Sequence, residues 1–407
     1  MDGREFSVQD FSTKWLERIA TLPSRYVRPV GSVRFIPQID GLRFLALYQV
    51  LFFHAALRGQ RAFDSSIATN KGLSAWLSHG TAGVELFFFI SGFIVSAPFI
   101  AGKSVNWSDF VWKRISRIHP PYFITLVIFF VALLIYTPGP EAQAFHHDTS
   151  PLWQSFAASC FYLHGLIFNV SPRINPPLWS LEIEMQFYLI FPAIIYSYLL
   201  IKNFFVRIIF SAIVILLSGI FHAGAGVLWK GFDYTVISYF YMFVSGMAVC
   251  DIVNRFDFMN RADSVLFDVF CLIGFLGFIG GGIFYNASKV DTLLYFGGFM
   301  FRMSAIILLF FGAIRGRISR KIFAIPWLAF LGSACYSIYL THVPLMQLLA
   351  VLFAKIFPPT SQFNAWLWGW VLLIPCVTAC GVIFHIYVER VFMDHRWPKI
   401  FWNKYLS

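Results

Sequence analysis

Two ionisable residues share one apolar stretch of membrane length, IDGLRFLALYQVLFFHAALR at positions 39–58. Arg43 stands near its start and His54 near its end, with ten residues between them. On a straight α-helix this spacing puts them about 16.5 Å apart along the axis and about 20° apart around it. One face of the helix would therefore carry a permanent cation at one depth and, at the other, an imidazole that can accept a proton near neutral pH.

A carboxylate in another apolar stretch, Glu184 within residues 178–200, is predicted to lie at a depth similar to that of His54. Such a pair would suit a general base and the group that orients it or stabilises its charged form. A polar contact that only fixes helix packing is the alternative that this pattern leaves open. Glu182 points about 200° away from Glu184 on a helix, so at most one of the two faces His54.

Arginines are predicted at the opposite depth. Arg43, Arg114 and Arg117 could hold the phosphate groups of a cytoplasmic ligand. Positive charge beside a span also satisfies topology alone, but Arg43 lies a turn inside its apolar run, where Asp40 could offset its charge. A long ligand with a polyanionic head and a reactive tail would bridge these cations and His54, and acyl-CoA has that shape.

The elements that must position these groups are membrane helices. The chain is 58% hydrophobic and 13% charged, with a mean hydropathy of +0.69, which excludes an ordinary soluble domain. The predicted fold class is all-α, a polytopic integral membrane protein with about ten transmembrane helices. Residues 152–168 are apolar but short, and we expect them to be interfacial or re-entrant. The predicted spans are 39–58, 81–101, 121–137, 178–200, 204–221, 233–251, 264–286, 292–314, 333–354 and 364–388.

The basic residues predict the orientation of these spans. With the N-terminus inside, 22 of the 31 Lys and Arg residues fall on the cytoplasmic side and seven in the outer connectors. This asymmetry predicts that both termini are cytoplasmic. It also accounts for the net charge of +11, so no nucleic-acid partner is predicted. The expected segments are an amphipathic, basic N-terminal segment (1–35), a transmembrane domain (36–392) embedded in membrane lipids and a short basic tail (393–407).

Five short motifs, in the same order, resemble the signatures of the membrane acyltransferase-3 family and extend over about 300 residues. They are DGLR at 40–43 with His54, GVELFFFISGF at 83–93, RISR at 114–117 before PPY at 120–122, WSLEIE at 179–184 before FY at 187–188, and YSIYLTH at 336–342.

The resemblance implies a ten-helix inner-membrane enzyme that takes an acyl group, most often acetyl, from cytoplasmic acyl-CoA to a hydroxyl of a carbohydrate or other acceptor. It matches Arg43 and His54 to the family's arginine-ten-residues-histidine motif. Arg114 and Arg117 match its Arg-x-x-Arg motif, and Glu184 matches its fourth-span glutamate. His54 would be the general base with Glu184 beside it; a covalent acyl-histidine intermediate is a variant that stays open.

The acceptor expected from the resemblance is a surface polysaccharide or a lipid-linked glycan in a bacterium. Acyl-CoA enters as a substrate, and no tightly bound cofactor is predicted. Glu85 stands where the family commonly has Asp. The chain ends soon after the tenth span, so the extracytoplasmic hydrolase-like domain fused to some members is not expected. The acyl length and the oligomeric state stay open.

Weaker candidates for the substrate tunnel share a position in or beside the spans: Glu85, Ser91, Tyr122, Trp179 and His342. For Ser91, close helix packing is the better interpretation, and for His342 a packing role is the alternative. His146, His147 and Asp148 could bind a metal, but no further ligand has convincing spacing, so no metal site is predicted.

Two other functions fit the same residues. A transporter of a glycolipid or small anion could use His54 and Glu184 as a proton relay. A structural membrane subunit would use its polar residues only to fix the packing of its helices.

Overall fold

The computed structural model describes residues 21, 23, 36–61, 80–104, 106–135, 150–227, 232–287, 292–356, 364, 367–394 and 396–398, which contain helices and turns but no β-strand. In chain order the helices are α1 (Pro37–Arg61), α2 (Thr81–Ile100), α3 (Trp107–Ile135), α4 (Leu152–Cys160), α5 (His164–Phe168), α6 (Leu178–Leu200), α7 (Phe204–Val227), α8 (Val236–Arg255), α9 (Val265–Ala287), α10 (Thr292–Arg315), α11 (Ser319–Phe323), α12 (Pro326–Ser333), α13 (Cys335–Ile356), α14 (Ile374–Phe384) and α15 (Arg390–Phe392). A π-helical turn, Gly369–Leu373, leads into α14, and a second, His385–Glu389, joins α14 to α15, so that together they form one final helix.

The predicted all-α membrane fold is confirmed. Each of the ten predicted spans contains a helix of the described chain, and eight of these helices are long and apolar enough to cross a membrane. The other two are α1 and α9. The polar residues Asp40, Arg43, Gln49 and His54 make α1 less apolar than the other spans, and α9 contributes a shorter apolar stretch, Val265–Gly281.

Helix α1 is enclosed by other helices, which is why it can carry polar groups. It packs against α2, α12, α13 and the first π-helical turn. Leu42, Leu47 and Leu51 are fully buried along it. Polar side chains on α1 therefore face protein, as expected for polar groups within a membrane.

Glycines allow a close contact between α2 and α8. A Cβ at Gly92 would lie 2.1 Å from the backbone oxygen of Phe243, and a Cβ at Gly246 would lie 2.0 Å from that of Phe89. Small residues at such crossings let two backbones approach closely, which is how membrane helices gain packing energy. Accordingly, 78% of the apolar stretch of α8 is buried, against 11% for α7 at the periphery.

Helix α3 begins earlier than the predicted span, which starts at 121. Asn106 caps it, because its side-chain oxygen accepts the backbone N–H of Asp109 at 3.1 Å. Asp109 and Lys113 then form an i,i+4 ion pair of 2.6 Å on the exposed face. The RISR motif is therefore part of a continuous helix that enters the membrane, and is not a connector.

Residues 152–168 do not form a single crossing helix. They fold into α4 and α5, of nine and five residues, with Tyr162 between them at φ 61°. This agrees with the prediction of an interfacial or re-entrant segment, since neither helix is long enough to span. Glu182 of α6 binds this segment and α3, because its carboxylate accepts the backbone N–H of Gly165 at 3.3 Å and the Tyr122 hydroxyl at 3.4 Å.

Three predicted segments lie wholly or partly outside the described residues. They are the N-terminal segment 1–35, of which 21 and 23 are described, the outer-connector residues His146, His147 and Asp148, and the tail 393–407, of which 393, 394 and 396–398 are described.

Candidate active site

A cavity of about 100 Å³ lies where α1, α2, α3, α6 and α13 meet. It gathers three arginines, a carboxylate and several hydroxyl groups from distant parts of the sequence. Its lining residues are Arg43, Val84, Phe87, Phe88, Ser91, Arg114, Arg117, Ile118, Ser180, Leu181, Glu184, Tyr188, Cys335, Tyr336 and Tyr339.

The arginines give this cavity its positive charge. Nη1 of Arg43 donates to Asp40 at 2.8 Å, so one of its N–H groups is used within α1. The guanidinium of Arg114 lies 5.3 Å from the ring centre of Tyr188, and among the described residues no carboxylate is within 4.0 Å of it. Arg117 has an ion pair of 4.0 Å with Glu389. Most guanidinium donors thus stay available for an anionic ligand.

Glu184 lies among these cations and is held by two hydroxyl groups. Ser91 and Tyr188 both donate to its Oε1. In the described part of the chain no hydrogen bond or ion pair joins Glu184 to His54. The expected contact between these two residues is therefore not made, and a catalytic role for Glu184 stays a prediction.

His342 occupies the position beside His54 that was expected for Glu184. Nε2 of His342 and Nδ1 of His54 are 3.0 Å apart, and Nδ1 of His342 is 2.6 Å from the backbone oxygen of Tyr339. Helix α13 packs against α1, which brings the two imidazoles together.

These two distances assign the tautomers of both histidines. A carbonyl oxygen can only accept, so His342 carries its proton on Nδ1 and, when neutral, presents a lone pair on Nε2. The hydrogen bond between the rings then requires His54 to donate from Nδ1. Neutral His54 is left with a lone pair on Nε2, the form that a general base needs.

Tyr339 connects the cavity to the histidine pair. Its side chain lines the cavity, while its backbone oxygen fixes His342. Its hydroxyl lies 2.7 Å from the hydroxyl of Ser180 and 3.1 Å from the backbone oxygen of Pro177. His54 is not among the described lining residues, and Tyr339 lies between the cavity and the histidines, with its ring centre 5.2 Å from that of His342.

The weaker candidates separate into two groups. Ser91 lines the cavity and His342 contacts His54, whereas Glu85, Tyr122 and Trp179 are not among the described lining residues. Glu85 accepts from Nη2 of Arg302 at 2.8 Å, and each of these two side chains is 1% exposed. Tyr122 donates to the backbone oxygen of Ser159 at 3.0 Å, and Trp179 packs against Phe88 and Tyr239. These contacts hold helices together.

Two site residues were missed from sequence. Glu389 lies one residue beyond the predicted end of the tenth span, so it was not treated as a buried charge. Tyr339 lies inside the YSIYLTH motif, which drew attention only to its histidine. A usable signal for Glu389 was its place close to His385, which is another histidine inside an apolar run.

Fold and cavity together define a class of protein: a multi-pass membrane protein with a cationic cavity near a pair of histidines. Residues 36–386 match the acyltransferase domain that defines the acyltransferase-3 family, and the chain belongs to this family.

Relatives in the family include named O-acetyltransferases. The chain is 27% identical over 347 residues to the peptidoglycan O-acetyltransferase OatA of Listeria monocytogenes. The aligned region covers 78% of this chain and 50% of that protein. It is 23% identical over 333 residues to the O-acetyltransferase OatA of Staphylococcus aureus. This alignment covers 77% of this chain and 51% of that protein. The chain thus spans about half the length of these curated relatives. No solved structure matches it.

Proposed function

We propose that this protein is a membrane O-acetyltransferase that moves an acetyl group from acyl-CoA to a hydroxyl group of a glycan. One observation carries the proposal. Arg43, Arg114 and Arg117 line a single cavity, and Tyr339 of that cavity also fixes the His342–His54 pair. The family and the named relatives support the acetyl group and the hydroxyl acceptor.

The donor is proposed to bind through its phosphate groups. Guanidinium groups suit phosphates because they offer parallel N–H donors and keep their charge. On the rise per residue of α1, His54 lies about 16.5 Å beyond Arg43. A donor held at Arg43 therefore needs an extended arm to reach the imidazole, as the pantetheine arm of acyl-CoA provides.

In the transfer step, Nε2 of His54 takes the proton of the acceptor hydroxyl while the hydroxyl oxygen attacks the thioester carbonyl. The new C–O bond forms and the C–S bond breaks. The leaving thiolate then takes the proton from Nε2, which restores the neutral imidazole. The hydrogen bond from Nδ1 to His342 keeps Nε2 directed to the reaction throughout.

Glu184 is proposed to act in the cavity. A carboxylate held by Ser91 and Tyr188 among three guanidinium groups lowers their mutual repulsion and keeps them in place before the donor arrives. Glu184 is thus proposed to be a residue of the donor site, and His342 is proposed to position His54.

The acceptor is proposed to be a surface polysaccharide or a lipid-linked glycan. Support comes from the Listeria relative, which is a peptidoglycan O-acetyltransferase by name. The location is proposed to be the bacterial inner membrane, with both termini and the arginines on the cytoplasmic side. The excess of Lys and Arg in one set of connectors supports this orientation.

The test uses purified full-length protein in lipid vesicles with radiolabelled acetyl-CoA. We expect the wild type to bind acetyl-CoA and to transfer label to a glycan acceptor, and His54→Ala to bind it but transfer none. His222→Ala is the matched control, because it removes a buried imidazole on α7 that is not among the described residues lining the cavity. Normal transfer by His54→Ala would remove the proposed base. Absence of acetyl-CoA binding by the wild type would favour a transporter.

A further inference from the structure

We propose that Glu389 is a positioning residue for donor binding, which acts by holding the Arg117 guanidinium in the cavity. The proposal rests on the proposed function, since it takes the anion bound there to be the phosphate end of acyl-CoA. Glu389 does not itself line the cavity, whereas Arg117 does.

The carboxylate of Glu389 is fixed by two donors on one oxygen. Ser337 donates to Oε2 at 2.6 Å, and Nδ1 of His385 lies 2.7 Å from the same oxygen. All three side chains are buried, with exposures of 0% for each residue. Because both contacts use Oε2, the carboxylate cannot rotate freely, and Oε1 is directed toward Arg117.

The distance between Glu389 and Arg117 suits a ligand site better than a packing contact. Oε1 lies 4.0 Å from Nη2 of Arg117, which is within ion-pair range but longer than a hydrogen bond. In the described part of the chain Oε1 accepts no hydrogen bond. The carboxylate thus offsets the cost of burying the cation and leaves its N–H groups free to bind a phosphate.

Another buried ion pair of the same protein shows what a packing contact looks like. Arg207 and Asp251, which join α7 to α8, make two direct hydrogen bonds of 2.7 and 3.0 Å. Nη1 of Arg207 also donates to the backbone oxygen of Ile201 at 3.1 Å, so each nitrogen of this guanidinium is bonded to protein. The longer Glu389–Arg117 distance is therefore a distinguishing feature of the pair at the cavity.

The local fold explains why Glu389 and the described residues after it lie beside Arg117. Glu389 closes the π-helical turn His385–Glu389, a helix distortion that often marks functional positions. Eight residues later, the indole of Trp397 donates to the backbone oxygen of Ser116 at 2.8 Å. That oxygen lacks its usual helical partner because Pro120 has no N–H. The segment after the last helix is thus fastened beside Arg117.

The experiment compares acetyl-CoA binding and turnover in four full-length proteins: wild type, Glu389→Gln, Arg117→Gln and the double variant. We expect Glu389→Gln to raise the Kd for acetyl-CoA by about tenfold, with kcat at saturating donor within about twofold of wild type. In the Arg117→Gln background the same change should have no further effect on Kd, because its target is absent. Asp251→Asn is the control for losing a buried carboxylate of an ion pair, and its Kd should equal that of the wild type.

Ser337→Ala covers the case in which Glu389→Gln is not obtained as folded protein. It keeps the charge but releases one of the two donors to Oε2, so a smaller rise in Kd is expected. A wild-type Kd in both Glu389→Gln and Ser337→Ala would overturn the inference, as would a further tenfold loss in the double variant. If the wild type itself binds no acetyl-CoA, the proposed function fails, and the wild-type measurement alone identifies that outcome.

Discussion

Replacing His342 by Leu should slow the transfer step without weakening donor binding. His342 is fully buried, and leucine is apolar and of similar size. The substitution removes the acceptor of the Nδ1 proton of His54, a hydrogen bond of 3.0 Å. The bond to His342 that favours the tautomer with its lone pair on Nε2 is then lost, and the ring is held less firmly.

The size of the effect follows from that single bond. A neutral hydrogen bond contributes about 0.5–1.5 kcal/mol net, which biases an equilibrium by about 2-fold to 13-fold. We therefore expect kcat to fall by about fivefold in His342→Leu, the middle of that range. The KM for acetyl-CoA should stay within about twofold, because among the described residues His342 does not line the cavity in which we propose that the donor binds.

His342→Gln is the matched variant for this prediction. Its amide oxygen can reach the place of Nε2 and accept the proton of His54, so kcat should recover at least in part. The assay is steady-state acetyl transfer at varied acetyl-CoA. A wild-type kcat in His342→Leu would refute the tautomer argument. Equal losses in the Leu and Gln variants, together with a raised KM, would show that His342 only supports packing.

Two further predictions concern the donor cavity and the helix packing around it. Arg114→Gln should raise the Kd for acetyl-CoA by about tenfold and leave the Tm nearly unchanged. The Tm should hold because this guanidinium contacts the Tyr188 ring and, within the described residues, no carboxylate that the substitution would leave buried alone. Titration with acetyl-CoA measures the Kd, and thermal unfolding in detergent measures the Tm. Gly92→Leu should destabilise the fold by on the order of 3 kcal/mol, since a Cβ there lies 2.1 Å from the Phe243 oxygen. The control is Gly280→Ala, because no atom of another element lies within 4 Å of the added Cβ. An unchanged Tm in Gly92→Leu would contradict the packing argument.

The spans were predictable from sequence because each is a long apolar run, and hydropathy alone locates such runs. The start of α3 was not, since its first turns are polar and carry Lys113 and Arg114 beside Trp107 and Trp112. The signals that define it are local: the Asn106 cap and the Asp109–Lys113 pair. A hydropathy criterion does not detect a helix that begins in the interface and enters the membrane only later.

The site was predictable where residues share one helix or one motif, and less so where neighbours had to be chosen. Spacing along α1 predicted Arg43 and His54 at two depths of one helix, and in the structure Arg43 lines the cavity while His54 contacts His342. The opposite directions of Glu182 and Glu184 were also predictable, and the structure gives them different partners. Depth alone could not tell which helix lies next to His54, because any span offers some residue at that depth. Helix α13 packs there, and it supplies His342.

Two rigid helices set the distance between the cations and the base, which limits the donors that can react. Helix α1 carries Arg43 and His54, about 16.5 Å apart on the rise per residue. Helix α13 carries Tyr339 at the cavity and His342 beside His54. We expect a compact donor such as acetyl phosphate, held at the Arg43 end of the cavity, to keep its acetyl carbon away from His54. The proposed donor is therefore a coenzyme thioester, whose anionic end and acyl carbon are separated by a long arm, and not a small acyl phosphate.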